Sequence, residues 1–365
     1  MSMVGLELAG ISKAYGERHV VDGLSLTLPK GKLLTLLGPS GCGKTTVLRM
    51  IAGFAKPDSG DVLIDGDIVT GMAPEKRPTS IMFQSYALFP HLTVFENIAF
   101  GLRARAKKRE EIRVRVNEMI GLVGLSAHAH HYPSQLSGGQ SQRAALARSL
   151  IIEPKVLLLD EPFAALDQSL REYMQIELRK LQQTLGTTMV VVTHDQNEAQ
   201  ILSDVIAVMN HGSIEQFADP ATIYERPKTK FVGMFMGVSN FLEGELLDRD
   251  DRTYVRFGDH HLRLADVPSD HCSGPVTVAI RQESFLVEAI AKPSTPQVTA
   301  ADCGAMNALI GTVRYTRQVA GRIFMEVETP IGLIHTLVSR PTGAYAIGDS
   351  VRLSVQPRDL VLVAK

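Results

Sequence analysis

Cysteine is scarce: of 365 residues only Cys42, Cys272 and Cys303 carry a thiol. They lie far apart, are odd in number and form no C-x-x-C pair, so neither a disulfide framework nor a zinc site is expected, and a reducing compartment fits. Long apolar runs are missing too. No stretch approaches the ~18 apolar residues of a membrane span. The opening MSMVGLELAGISKAYGERH has neither the basic start nor the apolar core of a signal peptide, so the chain is expected to be neither secreted nor membrane-spanning. Nor is there an excess of one charge: 38 Lys and Arg stand against 39 Asp and Glu. A nucleic-acid or anionic-lipid partner would therefore have to be met by a local patch. What is present is apolar mass, 45% hydrophobic against 21% charged residues, which excludes disorder over most of the length. At ~100–200 residues per domain, two or three folding units are expected.

The first ~235 residues alternate short apolar runs with helical patterns, the grammar of an α/β sheet with helices on its faces. Runs 33–37, 156–159 and 189–192 are apolar almost throughout, as buried parallel strands are. Leu170, Met174, Leu178, Leu181 and Leu185 recur at helical spacing, which predicts an amphipathic helix over 168–185. After Gly237 the pattern changes to TYVRF, VTVAI, FLVEAI, ALIGTV, RIFMEV, LIHTLV and VRLSV, short β-type runs separated by Gly, Pro and Asp. These predict a small all-β barrel or sandwich, joined to the first part through 219–230, with 293–304 as a loop inside it.

Residues 38–45 read GPSGCGKT and fit G-x-x-x-x-G-K-[ST] between a predicted strand and a helix beginning near Lys44. Gly38, Gly41 and Gly43 let the backbone turn its N–H groups toward the phosphates of a nucleotide, where a helix N-terminus adds a favourable dipole. Lys44 supplies a point charge, and the Thr45 hydroxyl is a ligand for Mg²⁺. Such a loop needs a carboxylate on a neighbouring strand, and VLLLD at 156–160 ends on Asp160, with Glu161 next in sequence. Asp160 then serves the metal and Glu161 polarises the attacking water. A second glycine loop, Leu136-Ser137-Gly138-Gly139-Gln140, precedes a helical run at 141–150. Taken alone it reads as ordinary N-capping by Ser137, and beside the phosphate loop it reads as a second anion site.

In this combination the chain resembles the ATP-binding subunits of ABC transporters over residues 6–240. LSGGQ is similar to that family's signature motif, GPSGCGKT to its Walker A and VLLLDEP to its Walker B segment. Tyr15 falls at the adenine-stacking position, Gln84 in MFQSYALFPH at the Q-loop, AALD at 164–167 at the D-loop, and His194 in VTHD at the switch histidine. The resemblance implies a P-loop ABC ATPase domain at 1–237, a mixed sheet flanked by helices plus a helical subdomain. At 238–365, NFLEG and AIRQE resemble the OB-like extension called TOBE, a regulatory or dimerisation domain of importers for maltose, polyamines, ferric iron, sulfate and phosphonates.

The resemblance further implies a head-to-tail homodimer, each ATP lying between Walker A of one subunit and LSGGQ of the other. Gly38, Pro39, Ser40, Gly41, Cys42, Gly43, Lys44, Thr45 and Thr46 would hold phosphates. Ser137, Gly138, Gly139, Gln140 and Asp167 would act across the interface. Glu161 would be the general base, His194 would contact the γ-phosphate, Gln84 would sense metal and water, and Mg²⁺ would be held by Thr45, Gln84 and Asp160. Partners would be two transmembrane permease subunits, met beside 85–91, and an extracytoplasmic solute-binding protein, with the ATPase peripheral on the cytoplasmic face of the membrane. SYALFPH and NFLEG lean toward the polyamine, ferric iron and aminoethylphosphonate branches. Ser141, Ala164 and Gln282 depart from the family's usual residues, and none of them removes a phosphate, metal or base contact.

The alternative is a soluble ATPase of the same type acting on nucleic acid or ribosomes through the OB-like part. From residue 238 onward there are thirteen Lys and Arg against fifteen Asp and Glu, the wrong balance for a strand-binding groove. The run at 103–115 mixes both charges at helical spacing, as a solvated face does. His128, His130 and His131 in AHAHHYP adjoin no Cys, Asp or Glu, which argues against a metal site.

Overall fold

The computed structural model describes residues 3–249, 252–265, 274–290, 306–339 and 345–364. Cys272, Cys303 and the loop expected at 293–304 lie outside the described residues. By their own contacts the residues divide into Met1–Pro220 and Ala221–Lys365.

In the first unit β1 (Val4–Tyr15) and β2 (Arg18–Pro29) form an antiparallel hairpin, followed by β3 (Leu33–Leu37), α1 (Lys44–Ala52), β4 (Ser59–Ile64), β5 (Asp67–Ile68) and β6 (Thr79–Met82). Next come α2 (Val94–Ala104), α3 (Arg109–Leu122), α4 (Gly138–Leu150), β7 (Val156–Asp160), α5 (Gln168–Leu185), β8 (Thr188–Thr193), α6 (Gln196–Leu202), β9 (Val205–Asn210) and β10 (Ser213–Ala218). One sheet has the order β2-β1-β4-β5 and the other β10-β9-β3-β8-β7-β6, parallel except for its β10 edge. Every residue of LLTLL in β3 is buried, as continuous apolarity predicts for an interior parallel strand. Thr35, its polar member, pairs with the Ser203 hydroxyl at 2.6 Å, so no buried hydroxyl is stranded.

The helix expected over 168–185 has those bounds, capped by Asp167 and stopped by Gly186 at φ 61°. Its buried stripe differs from expectation at the end: Leu185 is exposed and Gln182 is buried instead. The Gln182 amide donates to Gly31 O at 2.7 Å and Thr187 O at 3.1 Å, tying the helix to the turn before β3. The mixed-charge run divides between α2 and α3 at a turn where Ala106 takes φ 52°. In it Ile112 is buried and Arg115 is bonded to Ile151 O, so only part of the run is a free face. Helices α2, α3 and α4 share an apolar cluster built on Ile98, Leu102, Val116, Ile120, Ala144 and Ala147.

The second unit begins with residues of α7 (Pro220–Glu225) and with α8 (Lys230–Phe235). Two antiparallel five-stranded sheets follow. The first is built from β11 (Asn240–Arg249), β12 (Arg252–Phe257), β13 (His260–Arg263), β14 (Gly274–Ile280) and β20 (Val361–Val363). The other is built from β15 (Leu286–Ala289), β16 (Asn307–Val319), β17 (Arg322–Thr329), β18 (Gly332–Ser339) and β19 (Ser350–Val355). Their inner faces meet in one core, with Val255, Val278, Leu309, Met325, Ile334 and Leu353 fully or nearly fully buried. Residues 221–237, assigned from sequence to the first domain, bond into this unit. Arg281 donates to Tyr224 O and Met236 O, and Lys230 N donates to Ala364 O at 2.8 Å.

Candidate functional site

The phosphate loop leaves β3 and enters α1, and its glycines are demanded by the backbone. Gly43 caps α1 at φ 106°, where a Cβ would stand 2.5 Å from Val20 O. At Gly38 a Cβ would collide with Met209 O on β9. The loop therefore lies against neighbouring backbone in a shape that L side chains resist. Lys44 is 6% exposed, and its ammonium donates to Gly38 O and Pro39 O, both at 2.8 Å. Cys42 is buried with its Sγ 3.8 Å from the same ammonium. Thr45 and Thr46 occupy the first turn of α1, and Ser40 and Gly41 the turn before it.

Sheet order brings the remaining groups to the same end. Strands β8, β7 and β6 are neighbours, and His194, Asp160 with Glu161, and Gln84 stand at or just past their C-terminal ends. This is where ligands of open α/β sheets are met. Thr45 Oγ1 donates to Asp160 Oδ1 at 3.3 Å. Burial pushes the Asp160 carboxyl up, the Thr45 bond opposes that, and the Glu161 charge pushes it up further. A bound cation would relieve both. Glu161 itself takes φ 45°, a left-handed conformation uncommon for a non-glycine residue, held by its N–H to Val192 O at 3.0 Å. Its carboxylate lies between two partners: Gln84 Nε2 donates to Oε2 at 3.3 Å, and His194 Nδ1 is 3.2 Å from Oε1.

Tyr15 closes β1 and is 53% exposed, with the Lys13 ammonium 5.5 Å from its ring centroid. Ser137 caps α4 in a reciprocal box, its hydroxyl accepting Gln140 N at 3.4 Å while Gln140 Oε1 accepts Ser137 N at 2.9 Å. Helix α4 thus begins three residues earlier than its expected start at 141. Gly138 and Gly139 form its first turn, where a Cβ would lie 3.2 Å from Leu166 and Leu170 respectively. Those leucines flank Asp167, which accepts Leu170 N at 3.0 Å and the Ser169 hydroxyl at 2.9 Å. The Leu170 N–H, followed by Ser169, holds its carboxyl below the usual value. Among the described residues, no hydrogen bond joins Tyr15, Ser137–Gln140 or Asp167 to the cluster of Lys44, Asp160, Glu161, Gln84 and His194.

Sequence reasoning missed three polar residues that shape this end of the unit, the buried Arg77 and Asn97 and the partly buried Arg148. Arg77 donates to Met50 O, Ile51 O, Thr70 O and Met72 O, filling the carbonyl end of α1. Asn97, fully buried, accepts Phe89 N and donates to the carbonyls of Phe89, Leu92 and Thr93. Arg148 donates to Tyr86 O at 2.9 Å and Ala87 O at 2.7 Å, holding two residues with φ 60° and 47° just after Gln84. For Asn97 on α2 and Arg148 on α4, a polar residue among apolar helical positions was the available signal, and Arg77, in a loop, offered none.

Residues 21–164 match the profile of the ABC transporter family. The chain is 43% identical over 361 residues to the spermidine/putrescine import ATP-binding protein of Rubrobacter xylanophilus, covering 99% of this chain and 94% of that one. It is 47% identical over 285 residues to the putrescine transport ATP-binding protein of Escherichia coli K12, covering 77% and 76% of the two chains. Among solved structures it resembles a dimeric ATP-binding cassette in a post-hydrolysis state with ADP and phosphate. The TM-score is 0.53 at 33% identity, covering 59% of this chain and 98% of that one.

Proposed function

The chain belongs to the ABC transporter family as an ATP-binding subunit of the import type, and from that premise we propose that it is the motor of a binding-protein-dependent importer of polyamines. The observation that carries the motor reading is the Glu161 carboxylate, set between Gln84 and His194 at adjacent strand ends beside a phosphate loop, while the polyamine assignment rests on the similarity to the spermidine/putrescine and putrescine transport proteins.

The backbone N–H groups of 38–46 and the N-terminus of α1 receive the phosphates, and Lys44 meets their charge. Thr45 and Asp160, with Gln84, are the residues that would hold Mg²⁺, and this set of hydroxyl, carboxylate and amide oxygens suits a hard cation. Mg²⁺ would offset negative charge on the transferring phosphoryl group. Glu161 is aimed by two hydrogen bonds and takes the proton of a water attacking the γ-phosphorus, as the bond to the bridging oxygen breaks and ADP and phosphate form. In the sandwich dimer, Ser137, Gly139 and Gln140 of the partner subunit face the same γ-phosphate, Tyr15 stacks on adenine and Asp167 lies at the interface. The ligand would then act as part of the interface, so that hydrolysis opens it. Exposed Phe54 and Phe83, with ring centroids 6.1 Å apart and next to Gln84, suit an apolar helix from a membrane subunit. The second unit would serve as the TOBE-like regulatory or dimerisation domain. Its β-strand part, with thirteen Lys and Arg against fifteen Asp and Glu from residue 238 onward, lacks the basic excess that the nucleic-acid reading needs.

The test is a tagged pull-down from gently solubilised membranes. Two polytopic subunits, or one as a pair, should co-purify, and with the matching solute-binding protein they should show putrescine- or spermidine-stimulated ATPase in proteoliposomes. Recovery with ribosomes or nucleic acid from the soluble fraction would overturn the importer reading, and stimulation by ferric iron or aminoethylphosphonate instead would overturn the polyamine assignment.

A further inference from the structure

Both ends of the Gln140 amide are engaged within its own chain. Ser137 N–H donates to Oε1 at 2.9 Å, which fixes the oxygen toward the loop and turns the NH₂ group away from it. That NH₂ lies 3.1 Å from His128 Nε2. An amide nitrogen has only protons to offer, so His128 Nε2 carries the lone pair and the imidazole proton sits on Nδ1. Nδ1 in turn lies 3.1 Å from His131 Nδ1, which must be a bare acceptor, leaving the His131 proton on Nε2. Each bond thus dictates the next, from the capping box to the second imidazole. The backbone carrying both rings is anchored independently: His128 N–H donates to Leu125 O at 2.9 Å and His131 N–H to His128 O at 3.0 Å. Val94 N and Phe95 N, in the first turn of α2, donate to His131 O and Ala129 O, both at 2.9 Å.

We propose that His128 is a positioning residue for the glycine loop at 136–140. It holds the Gln140 amide in the rotamer that closes the capping box, so the first turn of α4 is already shaped when it meets the second nucleotide. His131 supports it by selecting the tautomer. The inference rests on the sandwich-dimer reading above, because only there does the loop touch a nucleotide. A neutral hydrogen bond of ordinary net strength corresponds to about a fivefold effect on an equilibrium.

The experiment uses the full chain and compares wild type with His128→Ala, His128→Gln, Gln140→Ala and the double variant His128→Ala/Gln140→Ala. Turnover at saturating MgATP is read beside the affinity of the isolated subunit for a fluorescent ATP analogue. His128→Ala should lower turnover about fivefold and leave nucleotide affinity unchanged. His128→Gln, whose amide oxygen reaches roughly where Nε2 stood, should stay within about twofold of wild type. The double variant should be no slower than Gln140→Ala alone, because His128 acts through Gln140. Wild-type turnover in His128→Ala, a parallel loss of nucleotide affinity, or multiplying effects in the double variant would each overturn the proposal. Long-range ¹H–¹⁵N spectra of the wild-type protein give a reading that needs no variant: a bare Nε2 and a protonated Nδ1 on His128 support it, and a protonated Nε2 sinks it. Size exclusion in a Glu161→Gln background separates the two levels of the argument. If Glu161→Gln stays monomeric with ATP, the dimer reading fails and this inference with it. If it dimerises and adding His128→Ala leaves the ATP requirement unchanged, only this inference fails.

Discussion

Asp204, between α6 and β9, should carry a pH-dependent share of the first unit's stability. Its carboxylate takes both ends of the Arg179 guanidinium at 2.9 and 3.0 Å, Leu33 N–H at 2.9 Å and the Lys32 ammonium at 3.2 Å. Burial alone would raise its pKa, but the Arg179, Leu33 and Lys32 bonds outweigh burial and bring it from 3.8 to about 2. A difference of about 1.8 units at ~1.36 kcal/mol each gives an upper figure of ~2.4 kcal/mol. Lys32 is half exposed and contributes less for being screened, so ~1.5–2 kcal/mol is the working value. Because the folded value is the lower one, this stability is complete above the unfolded pKa and disappears as pH falls through the folded one. The Asp204→Asn variant keeps an acceptor for Leu33 N–H but has no charge to lose. At pH 7 it should melt ~3–8 °C below wild type in the first-unit transition, and the gap should narrow steadily from pH ~5 downward. Calorimetry or far-UV circular dichroism reads it, since the chain has no tryptophan to report by fluorescence. Equal melting at pH 7, or a gap as wide at pH 3.5 as at pH 7, would refute the reasoning.

Glu161→Gln should retain ATP binding and ATP-dependent dimerisation while turnover falls by ~10²-fold or more; hydrolysis at the wild-type rate would remove the general-base role. Lys44→Ala should lose tight nucleotide binding, measured with a fluorescent analogue, and retention of wild-type affinity would count against the loop's role. Gly43→Ala forces a Cβ to 2.5 Å from Val20 O at φ 106°, so it should impair nucleotide binding as strongly as the lysine change. An Ala variant binding like wild type would show that the loop shape is not required.

The backbone shape of the candidate phosphate loop was legible because it makes local demands. Gly43 at φ 106° and Gly38 against β9 are positions at which the backbone admits little else. Leu33–Leu37 and the helix from Gln168 to Leu185 were legible for a related reason, since periodicity reports burial directly. Legibility failed where side chains distant in sequence meet. His128 and Gln140 are twelve residues apart across two turns, and nothing in AHAHHYP specifies which imidazole faces α4. Arg77, Asn97 and Arg148 were missed because a buried or partly buried polar residue looks like a surface one until its carbonyl partners are placed. Residues 221–237 looked continuous with the α/β part because they are helical. Their hydrogen bonds to Arg281 and Ala364 assign them to the β unit, and only tertiary structure reveals those bonds.

The Lys44 ammonium, bonded from inside to Gly38 O and Pro39 O, makes the loop a mould that has set before anything is poured into it. On the proposed function, a phosphate arriving there would exchange two neutral acceptors for an anionic one and find the glycine backbone already turned. Little of its binding free energy would then be spent on ordering chain, and more of it would be left to draw two subunits together.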